Sequence, residues 1–176
     1  MKKTNKAFDK LKKYGSDILH SDGMCAEKSF IQHSSVSCYE HSVNVAQKSL
    51  RVAKFLKRFS VKVNEKSLVR GALLHDYFLY DWHEKHHGLH GFKHAKRALK
   101  NAETDFKLND IEKNIIKRHM FPLNICPPKY RESWIVCLAD KLSALDEIFL
   151  GYRHSLVRVY ASFMISFNFI IKFFHK

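Results

Sequence analysis

Apolar residues recur at helical spacing through every long segment of the chain, and no stretch alternates with the period of two that a half-buried strand needs. That pattern restricts the fold to helices packed on helices. No internal repeat divides the sequence, and 176 residues suffice for one well-buried core without disulfide or metal staples. Only six glycines and three prolines occur, and no long polar low-complexity tract, which argues against large disordered regions. The expectation is an all-α, compact single-domain bundle of about six to eight helices.

The segments can be placed by their punctuation. Residues 6–20 carry Phe8, Leu11, Ile18 and Leu19 among lysines, an amphipathic helix expected to break around Gly15 before the turn Ser21-Asp22-Gly23. A strong helix is expected over about 37–59, with His41, Val45, Val52, Phe55, Leu56 and Phe59 on one face and Lys48 stranded on that side. Asn64 reads as the N-cap of the next helix, which turns Leu68, Val69, Ala72 and Leu73 inward and ends near His75 and Asp76. Residues 80–89 are irregular and rich in histidine (His83, His86, His87), either a site rim or a solvated loop. His90 starts another helix. Asn109 caps one that carries Ile111, Ile115, Ile116 and His119, and Pro122, Pro127 and Pro128 keep the following stretch irregular. A long helix over about 129–150 should bury a stripe of Trp134, Ile135, Leu138, Leu142, Leu145 and Ile148, with Asp140 beside it.

The balance is basic, with 31 Lys+Arg against 17 Asp+Glu. Such a surface attracts phosphate-rich ligands, nucleic acid or anionic membrane. No dense basic run appears, so the charge is expected to lie scattered on exposed helix faces. Cys25, Cys38, Cys126 and Cys137 show no short zinc spacing, and no apolar signal region follows the basic N-terminus. Reduced thiols and a cytoplasmic setting are expected. The final stretch is uncharged from Val159 to Ile171 and rich in phenylalanine, yet shorter than the roughly 20 apolar residues of a membrane span. It reads as a helix packed on the domain, with a homo-oligomer or membrane-surface contact as the alternative.

Chemistry is suggested first by His75-Asp76, at the end of an apolar helical run. Neighbours on a helix point about 100° apart and share a site only around something compact. A divalent ion fits, since imidazole nitrogen and carboxylate oxygen both ligate such ions. His41 upstream and Asp140 downstream, each in a helical pattern, add two more ligands in order. Together with the words Glu40-His41-Ser42-Val43-Asn44-Val45-Ala46, Gly71-Ala72-Leu73-Leu74-His75-Asp76 and Leu138-Ala139-Asp140-Lys141, this order resembles the HD superfamily of metal-dependent phosphohydrolases over residues 30–150. The chain then divides into an N-terminal helical extension (1–30), an HD-type domain (31–150) and the apolar C-terminal helix (151–176).

The resemblance implies that His41, His75, Asp76 and Asp140 hold one divalent ion (manganese, iron, cobalt, nickel, magnesium or zinc), with Asp76 bridging ion and attacking water. His90 and His119 resemble the two extra histidines that hold a second ion in some members; otherwise they bind phosphate or protonate the leaving oxygen. Asp76, His90 and His119 are thereby the expected catalytic residues. The chain departs from the family pattern at Leu79, where many members carry a charged residue, whose role could move to Asp81, Lys85 or Lys141. His119 is followed by Met120-Phe121-Pro122, not by the Gly-Tyr-Pro word of cyclic-dinucleotide hydrolases, and no acidic pair of the alarmone-hydrolase kind follows Asp76. Lys93, Arg118, Arg131 and Lys141 are candidates for substrate phosphate, and Tyr80, Trp82 and Phe121 for base stacking.

The implied function is hydrolysis of a phosphomonoester or phosphodiester of a nucleotide or related small metabolite by metal-activated water. The alternatives are a catalytically silent nucleotide sensor, a di-iron oxygenase of HD type, and a protein whose basic charge binds nucleic acid or a membrane surface.

Overall fold

The computed structural model describes residues 6–33, 35–81 and 90–149. Seven α-helices fall among them: α1 (Lys6–Leu19), α2 (Asp22–Ala26), α3 (Cys38–Leu56), α4 (Glu65–Leu74), α5 (His90–Asp105), α6 (Asp110–Arg118) and α7 (131–149). The all-α expectation holds, with one small addition. β1 (Ile31–His33) and β2 (Val36–Ser37) form an antiparallel ribbon that pairs Ile31 with Ser37. Strands of three and two residues are too short to show any alternation in sequence. No helix among the described residues is long and apolar enough to cross a membrane. The C-terminal segment 151–176 and the loop residues Trp82, His83, Lys85, His86 and His87 lie outside the described residues.

Helix α4 is the axle, packed on α1, α3 and α6. Every residue from Ser67 to Leu74 is buried, as a helix enclosed on all sides requires. Each fully buried Leu or Val there stabilises the fold by about 1.5–3 kcal/mol relative to exposure. Its start is set by Asn64, whose Oδ1 accepts from the Ser67 amide at 3.1 Å.

Two glycines set how closely the neighbours approach. Gly15 does not break α1, which runs unbroken through it. A Cβ there would collide with Leu73, so the glycine permits close packing of α1 on α4. Gly71 does the same for α6, because a Cβ would lie 2.9 Å from Ile115 Cβ.

Helix α3 begins with a capping box: Ser37 Oγ accepts from the Glu40 amide and Glu40 reaches back to the Ser37 amide. Its buried face is built from Cys38, His41, Ser42, Val45, Ala46, Ser49, Leu50 and Ala53. Phe55 and Phe59, expected on that face, are instead exposed and pack edge-on against each other. The small residues admit α1 and α4 closely, so the inward face lies a fraction of a turn from the bulkiest side chains. Lys48 pairs with Asp146 of α7 at 2.9 Å, which explains its place between apolar neighbours.

Helix α7 corrects the sequence reading most. Trp134, Leu138, Leu142, Leu145 and Ile148 point outward; Ile135 alone of that stripe is buried. The inward face carries Glu132, Ser133, Val136, Ala139, Asp140, Ser143 and Glu147. Apolar periodicity located the helix but assigned the wrong side to the core, because the core-facing side supplies polar groups to the site.

Candidate metal centre

Five helices bring their ends or middles to one buried point. His41 lies in the first turns of α3, His75 caps the C-terminus of α4 with Asp76 immediately after it, His119 caps α6, His94 lies one turn into α5, and Asp140 sits midway along α7. All six are buried. Helix α5 turns His94 inward because Ala95, Ala98 and Ala102 form its packed face.

The ligand atoms form two adjoining groups, His41, His75 and Asp140 in one and Asp76, His94 and His119 in the other. His41 Nε2 lies 3.1 Å from Asp140 Oδ1, and His75 Nε2 lies 3.6 Å from the same oxygen. In the second group, Asp76 Oδ1 is 3.3 Å from Nε2 of both His94 and His119, whose Nε2 atoms are 2.8 Å apart. Asp76 joins the groups. Its other oxygen, Oδ2, faces His75 Nε2 at 3.5 Å and His41 Nε2 at 3.9 Å.

The far side of three rings is pinned, which aims the near side inward. His41 Nδ1 bonds Glu147 Oε2 at 2.9 Å, His75 Nδ1 donates to the Ala72 carbonyl at 2.8 Å, and His119 Nδ1 donates to the Ile116 carbonyl at 2.8 Å. Asn44 donates to the other oxygen of Glu147 at 3.2 Å. The β-ribbon contributes Gln32, which donates to Asp76 Oδ2 at 2.6 Å and accepts the Cys38 thiol at 3.3 Å.

Electrostatics follow from burial and crowding. Burial opposes a charge on His41, but its bonds to Asp140 and Glu147 prevail and raise its pKa to about 10. Burial lowers the pKa of His119, which favours the neutral imidazole that ligates ions. Burial would raise Asp76 and Asp140, yet the surrounding imidazoles hold both carboxyls well below the usual range. Glu27, at the C-cap of α2, is fully buried with both oxygens unbonded; burial first and the Asp76 charge second push its pKa well up.

These residues fit a divalent ion. His75 Nε2 and Asp76 Oδ1 are buried and make only the 3.3–3.6 Å approaches given above, none with hydrogen-bond geometry, an arrangement that costs stability unless something else ligates them. Histidine and carboxylate together suit first-row divalent ions such as manganese, iron, cobalt, nickel or zinc. The two groups would hold one ion each, with Asp76 offering an oxygen to either.

A family model for the HD domain matches residues 38–145, more than half of the chain, and the chain belongs to the HD domain family. That superfamily is of metal-dependent hydrolase type. Comparisons with curated proteins and with solved structures give no match.

The structure thus brings together His41, His75, Asp76, Asp140 and His119 of the residues singled out in the sequence. The side chain of His90 lies outside the described residues, and His94, one turn further along α5, stands at the second group. His94 was legible from its place on the alanine face of α5. Glu147 was legible too, since it follows Asp140 by two turns and shares its face. Gln32 and Glu27 left no signal in the sequence.

The charged candidates divide. Lys141 is held at the site's edge, donating to the His119 carbonyl at 3.1 Å and to Cys137. Arg131 donates to the Lys62 carbonyl at the far end of the bundle. Lys93 is exposed, and Arg118 is half-buried beside His119. Tyr80 packs at a tilt against Phe78 and lies under Arg97, and Phe121 packs edge-on against Trp134. Leu79, at the departure from the family pattern, holds a left-handed backbone with φ of 58° directly after the site. A β-carbon makes that conformation costly, by roughly 1–2 kcal/mol.

Proposed function

We propose that the chain is a metal-dependent phosphohydrolase cleaving a phosphomonoester or phosphodiester of a nucleotide or related small metabolite. The observation that carries this reading is Asp76, whose two oxygens each face a separate buried ligand group. A divalent ion in such a site lowers the pKa of water and neutralises charge on a phosphoryl oxygen. The chain's part is to hold that arrangement still. Glu147 and the Ala72 and Ile116 carbonyls fix the rings, and Gln32 fixes the Asp76 carboxylate. Neutral His119 and its neighbour His94 supply ring nitrogens that face Asp76. Lys141, held at the site's edge by the His119 carbonyl, and Arg118, the sequence neighbour of His119, are the cations proposed to meet the substrate phosphate.

The test is hydrolysis of a generic phosphodiester, a phosphomonoester and a nucleotide panel by manganese-loaded protein. Turnover that disappears in Asp76→Ala, with the fold retained by circular dichroism, is the expected result. Metal binding with no turnover on any substrate would refute the enzyme reading and leave a binding module.

A further inference from the structure

Outside the metal centre, the outer faces of α5 and α6 and the 123–126 segment enclose an open groove of about 640 Å³. Ala95 and Arg118, which line it, follow and precede the ligand-group residues His94 and His119 in the chain. Lys96 and Lys100, on successive turns of α5, form one wall, and Lys117 and Arg118, in the last turn of α6, form the other. Leu99 and Ile125 supply apolar surface between them, and Ile125 is 89% exposed. The acidic residue in the lining, Glu103, is already engaged by Lys113 at 2.8 Å. Four cations thus line an open groove together with the apolar side chains of Ala95, Leu99, Leu123 and Ile125.

We propose that this groove binds single-stranded nucleic acid next to the metal centre. The inference rests on the phosphohydrolase reading and narrows its substrate to a phosphodiester chain. Cations on both walls match a backbone that carries a charge at every step, and the aliphatic side chains accept base faces without reading them. An acyl lipid would need an enclosed apolar slot, whereas this groove is open and lined on both sides by charge. A mononucleotide would use only one end of it. Because no aromatic side chain lines the groove among the described residues, binding is electrostatic in the main and indifferent to sequence.

A second basic groove provides an internal control. Lys57, Lys62 and Lys66, with Lys10 paired to Glu65 at 2.6 Å, line a cavity of about 760 Å³ at the other end of α3 and α4, remote from the histidines. General attraction by a chain of net charge +14 would use both grooves alike.

The experiment is fluorescence anisotropy with a labelled single strand of about 12 nucleotides, as DNA and as RNA, in chelator so that nothing is cleaved. Four neutralised phosphates give a log–log salt slope of about −2.8 at roughly −0.7 each. Lys96→Glu/Lys100→Glu is expected to remove about half of that slope and at least about tenfold in affinity at low salt. Lys57→Glu/Lys62→Glu, with the same change in net charge, is expected to bind within about twofold of wild type by the same counterion argument. Equal weakening by the two variants would overturn the proposal. So would binding to phosphatidylglycerol vesicles without binding to either strand, or no binding at all. Turnover of a small phosphodiester by manganese-loaded wild type is read separately. Its absence with groove binding intact counts against the hydrolase reading and not against the groove.

Discussion

A close helix–helix approach lies one turn before His75 and His119, where Gly71 of α4 meets Ile115 of α6. An added Cβ at Gly71 would sit 2.5 Å from Ile115 Cδ1, 2.9 Å from its Cβ and 3.0 Å from its Cγ2. Ordinary carbon contacts need about 3.5–4.0 Å. A rotamer change can move Cδ1 but not Cβ, so Gly71→Ala must push α6 outward. Overpacking of this kind costs about 1–3 kcal/mol, while replacing a helical glycine by alanine returns about 1 kcal/mol. A net loss of up to about 2 kcal/mol is expected, or at most roughly 4–8 °C in Tm for a chain of this size. The displacement also has a functional reading. His119 caps α6 and Asp76 follows α4, so opening the two helices lengthens their 3.3 Å contact and weakens the second ligand group. Calorimetric melting and manganese titration of Gly71→Ala, Ile115→Ala and the double variant would measure both effects. The double variant should recover only part of the metal affinity lost in Gly71→Ala, because truncating Ile115 removes its Cγ2 and Cδ1 but leaves its Cβ 2.9 Å from the new methyl. A Gly71→Ala protein as stable as wild type with unchanged metal affinity would refute the packing argument.

Three further outcomes follow from the buried charges. His41, with its pKa raised to about 10, carries a proton at neutral pH in the metal-free protein, so loading an ion must expel it. Titration calorimetry in buffers of different ionisation enthalpy should therefore show proton release near neutral pH that fades as the pH approaches 10, and Glu147→Ala should reduce it; no buffer dependence would refute this. The pKa of Glu27 in the folded protein stands well above the ordinary 4.5, raised first by burial and then by the Asp76 charge, so the native state binds the proton more tightly. Stability is then fully present below pH 4.5 and falls as pH rises toward the folded pKa, by about 1.4 kcal/mol per unit in that window. Glu27→Gln should flatten this slope in chemical denaturation and be the more stable protein at neutral pH; an unchanged pH profile would contradict it. Gln32→Ala removes the 2.6 Å bond to Asp76 and should weaken metal binding about 10–100-fold while leaving the far-ultraviolet spectrum unchanged.

Much of the fold was legible because caps and breakers act locally. Asn64 and Asn109 cap the helices they were expected to cap, and Asn109 does so in a full capping box with Glu112. Facing was harder to read, since it depends on what a helix packs against. Phe55, Phe59 and the Trp134–Leu138–Leu142 stripe are apolar yet point outward, because small residues on α3 and polar residues on α7 occupy the inward sides. Gly15 looked like a breaker, and only the position of Leu73 shows that it is a contact point. At the site, residues in a recurring order could be recognised one by one. Gln32 and Glu27 could not, because the ribbon and α2 reach the centre through tertiary contacts that leave no periodic mark.

The central claim, two adjoining ligand groups joined by Asp76, is most directly tested by counting ions. Elemental analysis of manganese-reconstituted, tag-free protein should give close to two ions per chain, falling to one in His94→Ala with the fold intact. A single ion in wild type that persists unchanged in His94→Ala would show that the Asp76, His94 and His119 group holds none, and would contradict the account.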